Sequence, residues 1–252
     1  MDPGPGNRRP QDDITVILHR TSIPENIGAA VRVMANLGYG RLILSQPATG
    51  DWETARRLAV SASEILDGAQ VKNSLKEAIA ASGARFVVGT TARDRRYWDL
   101  PEVASVAGRI MERASEGGAA ILFGPEDRGL SNEDLTLCHT SVTLPTGGSL
   151  ASYNLSHAVA ITLYAIMAAQ GEPGAGTGRR AASFEEMEGM YGHLEEVLGR
   201  IQFLWEDNPD HMMRAVREFL NRAEPTEVEV RMIRGMCRRL LWHLGKREET
   251  SS

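Results

Sequence analysis

The chain has 252 residues, which is the length of one catalytic domain of ordinary size with a small extension. Its formal net charge of −5 argues against a broadly basic surface, and no apolar run approaches the roughly 20 residues needed to cross a bilayer. The first thirteen residues lack the hydrophobic segment of a signal peptide, so export is not expected. Cys138 and Cys237 are too isolated for a disulfide framework, and His19, His139 and His157 show no metal-ligand pattern. We therefore expect a cytoplasmic protein without a metal.

Strand-like apolar runs alternate with helical patterns over residues 14–169. Strands are predicted at residues 14–19, 41–44, 85–90, 119–123 and 141–144. Helices are predicted at residues 26–37, 52–59, 74–81, 102–114 and 154–169. This alternation predicts an α/β fold in which a mainly parallel sheet has helices on both faces.

The last third of the chain has a different pattern. Residues 170–183 are rich in glycine, proline and alanine and are expected to form a linker. Apolar residues then recur at spacings of three and four, and prolines divide the segment into three helices, which predicts a small all-helical module at residues 184–245. Its apolar stripe fits a core or a dimer contact better than a ligand site. Residues 1–13 and 246–252 are expected to be disordered tails.

The most informative segment reads Leu-Phe-Gly-Pro-Glu-Asp-Arg-Gly-Leu-Ser-Asn at residues 122–132. A buried strand ends there in a glycine-proline turn that carries Glu126, and Gly129 permits a second bend. A strand that ends in an exposed, glycine-shaped loop is where open α/β sheets bind ligands. Gly124 is expected to let the backbone approach such a ligand closely.

Three other segments accompany this loop. Asn-Ile-Gly-Ala-Ala-Val-Arg at residues 26–32 follows the first strand, and Gly-Thr-Thr-Ala-Arg at residues 89–93 follows a middle strand. Ser-Tyr-Asn-Leu-Ser-His-Ala at residues 152–158 opens the last helix of this region. Backbone N–H groups and neutral side chains suit an adenine ring and a ribose, and neither a GxxxxGK[ST] nor a GxGxxG phosphate motif is present.

Taken singly, these residues have ordinary interpretations. A helical arginine such as Arg32 is usually a surface ion-pair member, and Glu126 alone would be a turn carboxylate. Asn26 and Asn154 each suit the N-cap of a helix, and we expect Asn26 to be one. Arg93, Arg95 and Arg96 would by themselves be a solvated loop. Only the joint spacing of the segments favours a functional site.

Together the segments resemble the three motifs of the SpoU/TrmH branch of the SPOUT RNA methyltransferases, over residues 14–169. The resemblance implies a C-terminal trefoil knot, S-adenosyl-L-methionine as cofactor, and a homodimer with the active site at the dimer interface. It makes Arg32 the catalytic arginine, supported by Asn26, Glu126 and Asn154. The residues that it assigns to the cofactor are Thr90, Thr91, Ala92, Gly124, Leu144, Ala151, Ser152 and Tyr153. Tyr153 stands where the branch usually has an aliphatic residue, so its phenol needs a partner or solvent.

The chemistry implied is methyl transfer to a ribose 2′-hydroxyl, which requires alignment with the methyl donor and removal of a proton. Because a guanidinium resists deprotonation, we expect Arg32 to hold a phosphate near the target and to stabilise the developing alkoxide. Glu126 is a candidate to orient Arg32 through a charge-assisted hydrogen bond. Asn154 is a candidate to bind the ribose or to hold Arg32.

The substrate implied by the resemblance is tRNA. Residues 89–93 and the helical tail are similar to branch members that methylate cytidine or uridine at the first anticodon-loop nucleotide, position 32 of tRNA. One alternative is a 2′-O-methyltransferase acting on rRNA, although such relatives more often carry a domain before the catalytic one. Another is a catalytically silent RNA-binding relative, against which the presence of Arg32, Glu126 and Asn154 argues.

Overall fold

The computed structural model describes residues 10–92, 100–150, 152–169, 182–204 and 209–249. The chain divides into two compact units, Met1–Thr177 and Gly178–Ser252, and this division falls inside the predicted linker. Residues 170–181 of that linker, and the arginines expected to lie beside the site, Arg93, Arg95 and Arg96, are outside the described residues.

The first unit is built on a six-stranded sheet in the order β3-β2-β1-β5-β4-β6. Its strands are β1 (Ile14–His19), β2 (Arg41–Ser45), β3 (Gln70–Lys72), β4 (Phe86–Thr90), β5 (Ala119–Phe123) and β6 (Thr140–Val142). All five strand pairings are parallel, which confirms the predicted sheet. Every residue of the central strands β1 and β5 is buried, as expected for strands covered on both faces.

Seven α-helices complete the described part of this unit. They are α1 (Pro24–Leu37), α2 (Trp52–Ala59), α3 (Ser63–Asp67), α4 (Leu75–Ser82), α5 (Val103–Gly117), α6 (Asn132–Thr136) and α7 (Leu155–Ala168). Helix α7 packs against both α1 and α5. A short 3-10 helix at Pro10–Asp13 packs against α5 and buries Gln11, so the disordered tail predicted for residues 1–13 is wrong for residues 10–13.

The strand order places a crevice between β1 and β5. The chain leaves β1 toward β2 on one side, whereas it leaves β5 toward β6 on the other side. Loops that diverge from two neighbouring parallel strands leave an open space at the carboxyl edge of the sheet, which is the usual ligand position in such folds. The loop before α1 and the loop that carries Glu126 therefore face each other there.

The second unit contains helices α8 (Phe184–Arg200), α9 (Pro209–Ala223) and α10 (Glu227–Glu249). Ser183 and Glu186 form a reciprocal capping box that fixes the start of α8. The small core comprises Ala182, Met187, Met190, Tyr191 and Val230. Helix α10 continues past residue 245, where the module was predicted to end. None of the helices described in either unit is long and apolar enough to cross a membrane.

Candidate active site

A cavity of about 270 Å³ opens at the carboxyl edge of the sheet. Seven of the eight residues assigned to the cofactor line it: Thr90, Thr91, Ala92, Gly124, Leu144, Ser152 and Tyr153. The eighth, Ala151, lies outside the described residues. The residues come from the ends of β4, β5 and β6 and from the approach to α7, so the fold brings together four segments that are distant in sequence. Their role as cofactor ligands remains a prediction.

The threonines at the end of β4 tie three strands together beneath this cavity. The Thr90 hydroxyl donates to the Leu122 carbonyl on β5 at 2.9 Å. The Thr91 backbone N–H donates to the Val142 carbonyl on β6 at 3.0 Å. Both threonines are buried, so this part of the cavity wall is fixed by hydrogen bonds within the fold.

The Gly124 loop is shaped by its own backbone. A Cβ atom on Gly124 would lie 2.3 Å from the Gly129 carbonyl carbon and from the Leu130 nitrogen. Gly129 has a φ of +64°, and its N–H donates to the Pro125 carbonyl at 2.8 Å. The missing side chain of Gly124 therefore allows the loop to fold back on itself. The expectation that Gly124 also lets a ligand approach the backbone closely stays a prediction, and Gly124 lines the cavity.

Tyr153 closes the long loop between β6 and α7. Its hydroxyl donates to the Pro145 carbonyl at 3.0 Å, while its ring lines the cavity. The phenol thus has the partner that the unusual residue at this position requires.

Glu126 lies on the cavity wall and accepts four hydrogen bonds from the start of α1. One carboxylate oxygen accepts from the Ser22 backbone N–H at 3.2 Å and from the Ser22 hydroxyl at 3.3 Å. The other accepts from the Ile23 N–H at 3.4 Å and from the Asn26 side-chain amide at 3.1 Å. Because every partner is a donor, the arrangement suits an ionised carboxylate.

Asn26 is not the N-cap of α1, so that prediction is wrong. The cap residue is Ile23, which has no side-chain acceptor, and Pro24 begins the helix. Glu126 reaches across the crevice and accepts from the backbone N–H groups of Ser22 and Ile23, the two residues that precede the helix. Asn26 is buried inside the first turn, where its side chain can join the site.

A chain of hydrogen bonds links the three motifs. The Asn154 side-chain amide donates to the Asn26 side-chain oxygen Oδ1 at 2.8 Å, and the Asn26 side-chain amide in turn donates to Glu126. Asn154 also caps α7, where its side-chain oxygen accepts from the Ser156 N–H at 2.9 Å. Both asparagine orientations are fixed by these donors and acceptors.

Arg32 stands apart from this network. It is exposed on α1 and forms no hydrogen bond or ion pair with any residue that the structure describes. Glu126 contacts the start of α1, and Asn154 donates to Asn26. In this conformation, therefore, Glu126 does not orient Arg32, and Asn154 does not hold it.

A buried polar cluster lies behind the cavity loop. The His19 Nδ1 atom is 2.9 Å from the Ser45 hydroxyl, and its Nε2 atom is 3.7 Å from the Asp134 carboxylate. Burial lowers the pKa of His19, and the neighbouring Asp134 carboxylate opposes that shift. Asp134 and Ser131 form the capping box of α6, so the cluster ties β1 and β2 to the element that follows the loop.

Two charged residues of the cavity wall were missed by sequence reasoning. Asp127 and Arg128 line the cavity and pair with each other at 3.3 Å. They lie inside the segment 122–132, but their charge alone gave no signal for a ligand. In the described part of the chain, no group of three or more His, Cys, Asp or Glu residues could hold a metal ion.

Comparison with known families identifies the class of enzyme to which this fold and cavity belong, the RNA methylases. The sequence model of the SpoU rRNA Methylase family matches residues 13–164, and the chain belongs to that family. Within it, a second model, for the C-terminal domain of the tRNA methyltransferase TrmJ, matches residues 185–250. The chain is thus similar to TrmJ in both of its units.

Individual relatives agree with this placement. The chain is 36% identical over 239 residues to the tRNA (cytidine/uridine/adenosine-2′-O-)-methyltransferase TrmJ of Pseudomonas aeruginosa, covering 89% of this chain and 92% of the relative. The crystal structure of TrmJ from Z. mobilis superposes with a TM-score of 0.76 at 31% identity, covering 90% of this chain and 98% of that one. The SpoU methyltransferase AviRb of Streptomyces viridochromogenes, solved in complex with AdoMet, has a TM-score of 0.51 at 25% identity, covering 62% of this chain and 60% of AviRb.

Proposed function

We propose that this protein transfers a methyl group from S-adenosyl-L-methionine to a ribose 2′-hydroxyl of tRNA. The observation that carries the proposal is the Asn154–Asn26–Glu126 chain, which joins the three motif segments beside the cavity. Membership of the SpoU family supports the reaction class. Similarity to TrmJ through both units supports tRNA as the substrate.

The cavity fits the proposed cofactor. Small-molecule sites are mostly apolar with a few placed polar groups, and this cavity combines Leu144, Tyr153 and loop backbone with the carboxylates of Glu126 and Asp127. Carboxylates in the wall suit a cation better than a phosphate. When bound, the cofactor supplies an activated methyl group on a positively charged sulfur. The residues needed to hold it are those that line the cavity.

The catalytic roles follow from what each side chain can do. Arg32 remains charged and has five donors, so it can bind a phosphate of the RNA and stabilise the developing alkoxide of the ribose. Glu126 is already saturated by four donors, which makes it a positioning residue for the cavity loop and the start of α1. The hydrogen bonds of Asn26 and Asn154 connect Glu126 to the start of α7.

We also propose the trefoil knot of the SPOUT fold. Its support is the path of α7, which returns after β6 to pack against α1 and α5. The Tyr39 hydroxyl, just after α1, donates to the Leu163 carbonyl on α7 at 3.1 Å, and Asn154 reaches Asn26. These contacts hold the last helix of the unit against the first.

A homodimer with the active site at its interface is the third part of the proposal. An apolar depression is lined by residues of α1, α5 and α7, and Tyr164 in it is 59% exposed. Arg32 and Asn36 lie four residues apart on α1, and Asn36 is part of that depression, so Arg32 lies at its border. Pairing two copies through this face would bring each Arg32 to the partner chain.

The target that we propose is the first anticodon-loop nucleotide, position 32 of tRNA, with cytidine or uridine as the base, and the cytoplasm as the compartment. An rRNA substrate is the alternative, because the matching family is named for rRNA methylation. The experiment is mass-spectrometric mapping of 2′-O-methyl nucleotides in tRNA and rRNA from cells with and without the protein, with Arg32→Ala as control.

Loss of a single 2′-O-methyl group at tRNA position 32 is the expected result. Loss at another tRNA position would keep the enzyme class and overturn the position. Loss confined to rRNA would establish the alternative substrate. No change in either RNA, combined with no transfer by purified protein, would identify a silent RNA-binding relative.

A further inference from the structure

Helix α10 carries an exposed tryptophan between two cationic or ionisable neighbours. The Trp242 side chain is 47% exposed. The Arg239 guanidinium carbon lies 4.7 Å from the centre of its ring, and the His243 ring meets it edge-on with centres 4.7 Å apart. Arginine over an aromatic face is an attractive arrangement that also holds the ring in one orientation.

The charge around Trp242 is unusual for this acidic chain. Residues 230–247 contain no aspartate or glutamate, whereas the whole chain has a net charge of −5. The basic residues in this stretch are Arg231, Arg234, Arg238, Arg239, Lys246 and Arg247. A stretch with only positive charges attracts phosphate groups, even in a protein with a negative total.

The arginines and the tryptophan share one side of the helix. Arg231, Arg238 and Trp242 follow each other at spacings of seven and four, which places them along a single face, and all three are exposed. Val230 and Cys237 are buried and define a different face, which packs in the core of the helical unit. The basic face with Trp242 is therefore not required for that core.

We propose that Trp242 is a stacking platform for an unpaired base of the tRNA substrate, with Arg231 and Arg238 binding neighbouring phosphates. The proposal rests on tRNA being the substrate. Aromatic side chains flanked by arginines bind single-stranded nucleic acid because every base offers a flat face for stacking. Proteins recognise RNA in this way at loops, where unpaired bases can be stacked on aromatic side chains. Arg239 holds the ring in place, and the exposed part of the ring offers the base a surface for stacking.

The test uses the full-length protein and an unmodified tRNA transcript. Trp242→Ala should weaken tRNA binding by about tenfold or more, the loss typical of one stacked base. Trp242→Phe keeps an aromatic face and should stay within about threefold of wild type. Met232→Ala is the matched control, because Met232 is 58% exposed on the same helix but has no ring, and it should bind tRNA like wild type.

A fully paired RNA duplex separates stacking from simple charge attraction. Wild type and Trp242→Ala should bind the duplex equally, since it offers no unpaired base. The proposal would be overturned if Trp242→Ala lost as much affinity for the duplex as for tRNA. It would also be overturned if Met232→Ala lost as much tRNA affinity as Trp242→Ala, or if Trp242→Ala dissociated into smaller species in sedimentation. Either of the last two results would mean that this face of α10 is a protein contact. Unchanged tRNA affinity in Trp242→Ala with normal methyl transfer would also overturn it. Absence of transfer by wild type would instead refute the proposed function.

Discussion

The cofactor cavity and Arg32 differ in how completely the described structure builds them. The cavity wall is fixed by hydrogen bonds from Thr90, Thr91, Tyr153 and Glu126 to neighbouring segments. Arg32 is exposed on α1 and has no such bond with the described residues. Buried polar groups require partners, whereas an exposed guanidinium is satisfied by water. The difference indicates that the proposed cofactor half of the site is preorganised. We expect Arg32, in the other half, to acquire its partners from RNA or from a second chain.

The largest effect that separates the two halves is expected for Arg32→Ala. This change should lower the rate of methyl transfer by about 1000-fold or more, because it removes a charge that acts on the transition state. Affinity for S-adenosylhomocysteine should stay within about threefold, since Arg32 does not line the cavity. Single-turnover rates and calorimetry measure the two quantities. A large loss of cofactor affinity with transfer intact would mean that Arg32 belongs to the cofactor half of the site.

Mixing variants tests whether the two halves come from different chains. If sites are shared, equal amounts of Arg32→Ala and Gly124→Ala protein should recover about one quarter of wild-type activity, because half of the dimers then hold one intact site. If each chain holds a complete site, every site carries a defect, and at a limiting cofactor concentration activity stays at the low level of the unmixed variants. Subunit exchange must be confirmed with labelled chains for the negative result to count.

The cavity lining was largely predictable from sequence, because the resemblance to the SpoU/TrmH branch rests on short contiguous motifs. Thr90, Gly124, Leu144 and Ser152 each lie in a short segment where a strand ends or a helix begins, and parallel strands bring such ends to one edge. The sequence did not show that Glu126 and Asn26 are hydrogen-bond partners, because they lie 100 residues apart. The N-cap assigned to Asn26 is wrong because the helix begins at Pro24, which leaves Asn26 inside the first turn.

Short elements were missed for a different reason. Strand β3 has three residues, two of them exposed, so it lacks the apolar run that marks a strand. Helices α3 and α6 have five residues each, too few for a helical period to be recognised. These elements form through tertiary packing and pairing, which one sequence does not display.

The second prediction concerns the glycines that shape the cavity loop. Gly124→Ala should weaken S-adenosylhomocysteine binding by about 100-fold, because its Cβ atom would collide with the backbone of Gly129 and Leu130 and displace the loop. Gly129→Ala meets open space but keeps a positive φ, so it should cost only about 1 kcal/mol of stability. Calorimetry on folded protein compares them. Equal affinities in the two variants would mean that this loop is not a preorganised part of the site.

Another prediction concerns the hydrogen bonds that tie Glu126 to the start of α1. Glu126→Gln replaces one acceptor oxygen by an N–H₂ group that would face two donors, so the start of α1 should loosen. We expect about a 50-fold lower rate of transfer, with cofactor affinity less affected. Glu133→Gln is the control, because this exposed carboxylate follows the same loop and does not line the cavity. A similar loss in Glu133→Gln would show that negative charge near the loop, and not the tie to α1, controls activity.

The last prediction tests the sheet under the cavity. His139 lies just before β6, and its ring Nδ1 atom accepts a hydrogen bond from the Val87 N–H of β4 at 3.0 Å. Burial, and secondarily the charge of Arg113, lower the pKa of His139 to about 4. A second proton would have to occupy Nδ1, which would break the bond to Val87. The folded state therefore holds the neutral ring and pins β6 to β4, the strands that lead into Leu144 and Thr90.

The contribution of His139 to the free energy of unfolding falls as the pH falls. In the unfolded chain His139 takes up a proton near pH 6.5, whereas the folded protein does so only near pH 4, so the unfolded state binds more protons between these values. The free energy of unfolding should fall by about 2 kcal/mol from this group between pH 7 and pH 5. His139→Asn keeps an acceptor for Val87 but cannot be protonated, so urea unfolding of this variant should lose that part of the pH slope. Because His19 shifts in the same direction, the difference between the two proteins is the quantity to measure. Identical slopes would mean that His139 does not hold the cavity half of the site together, and that the contrast with Arg32 rests on the loops alone.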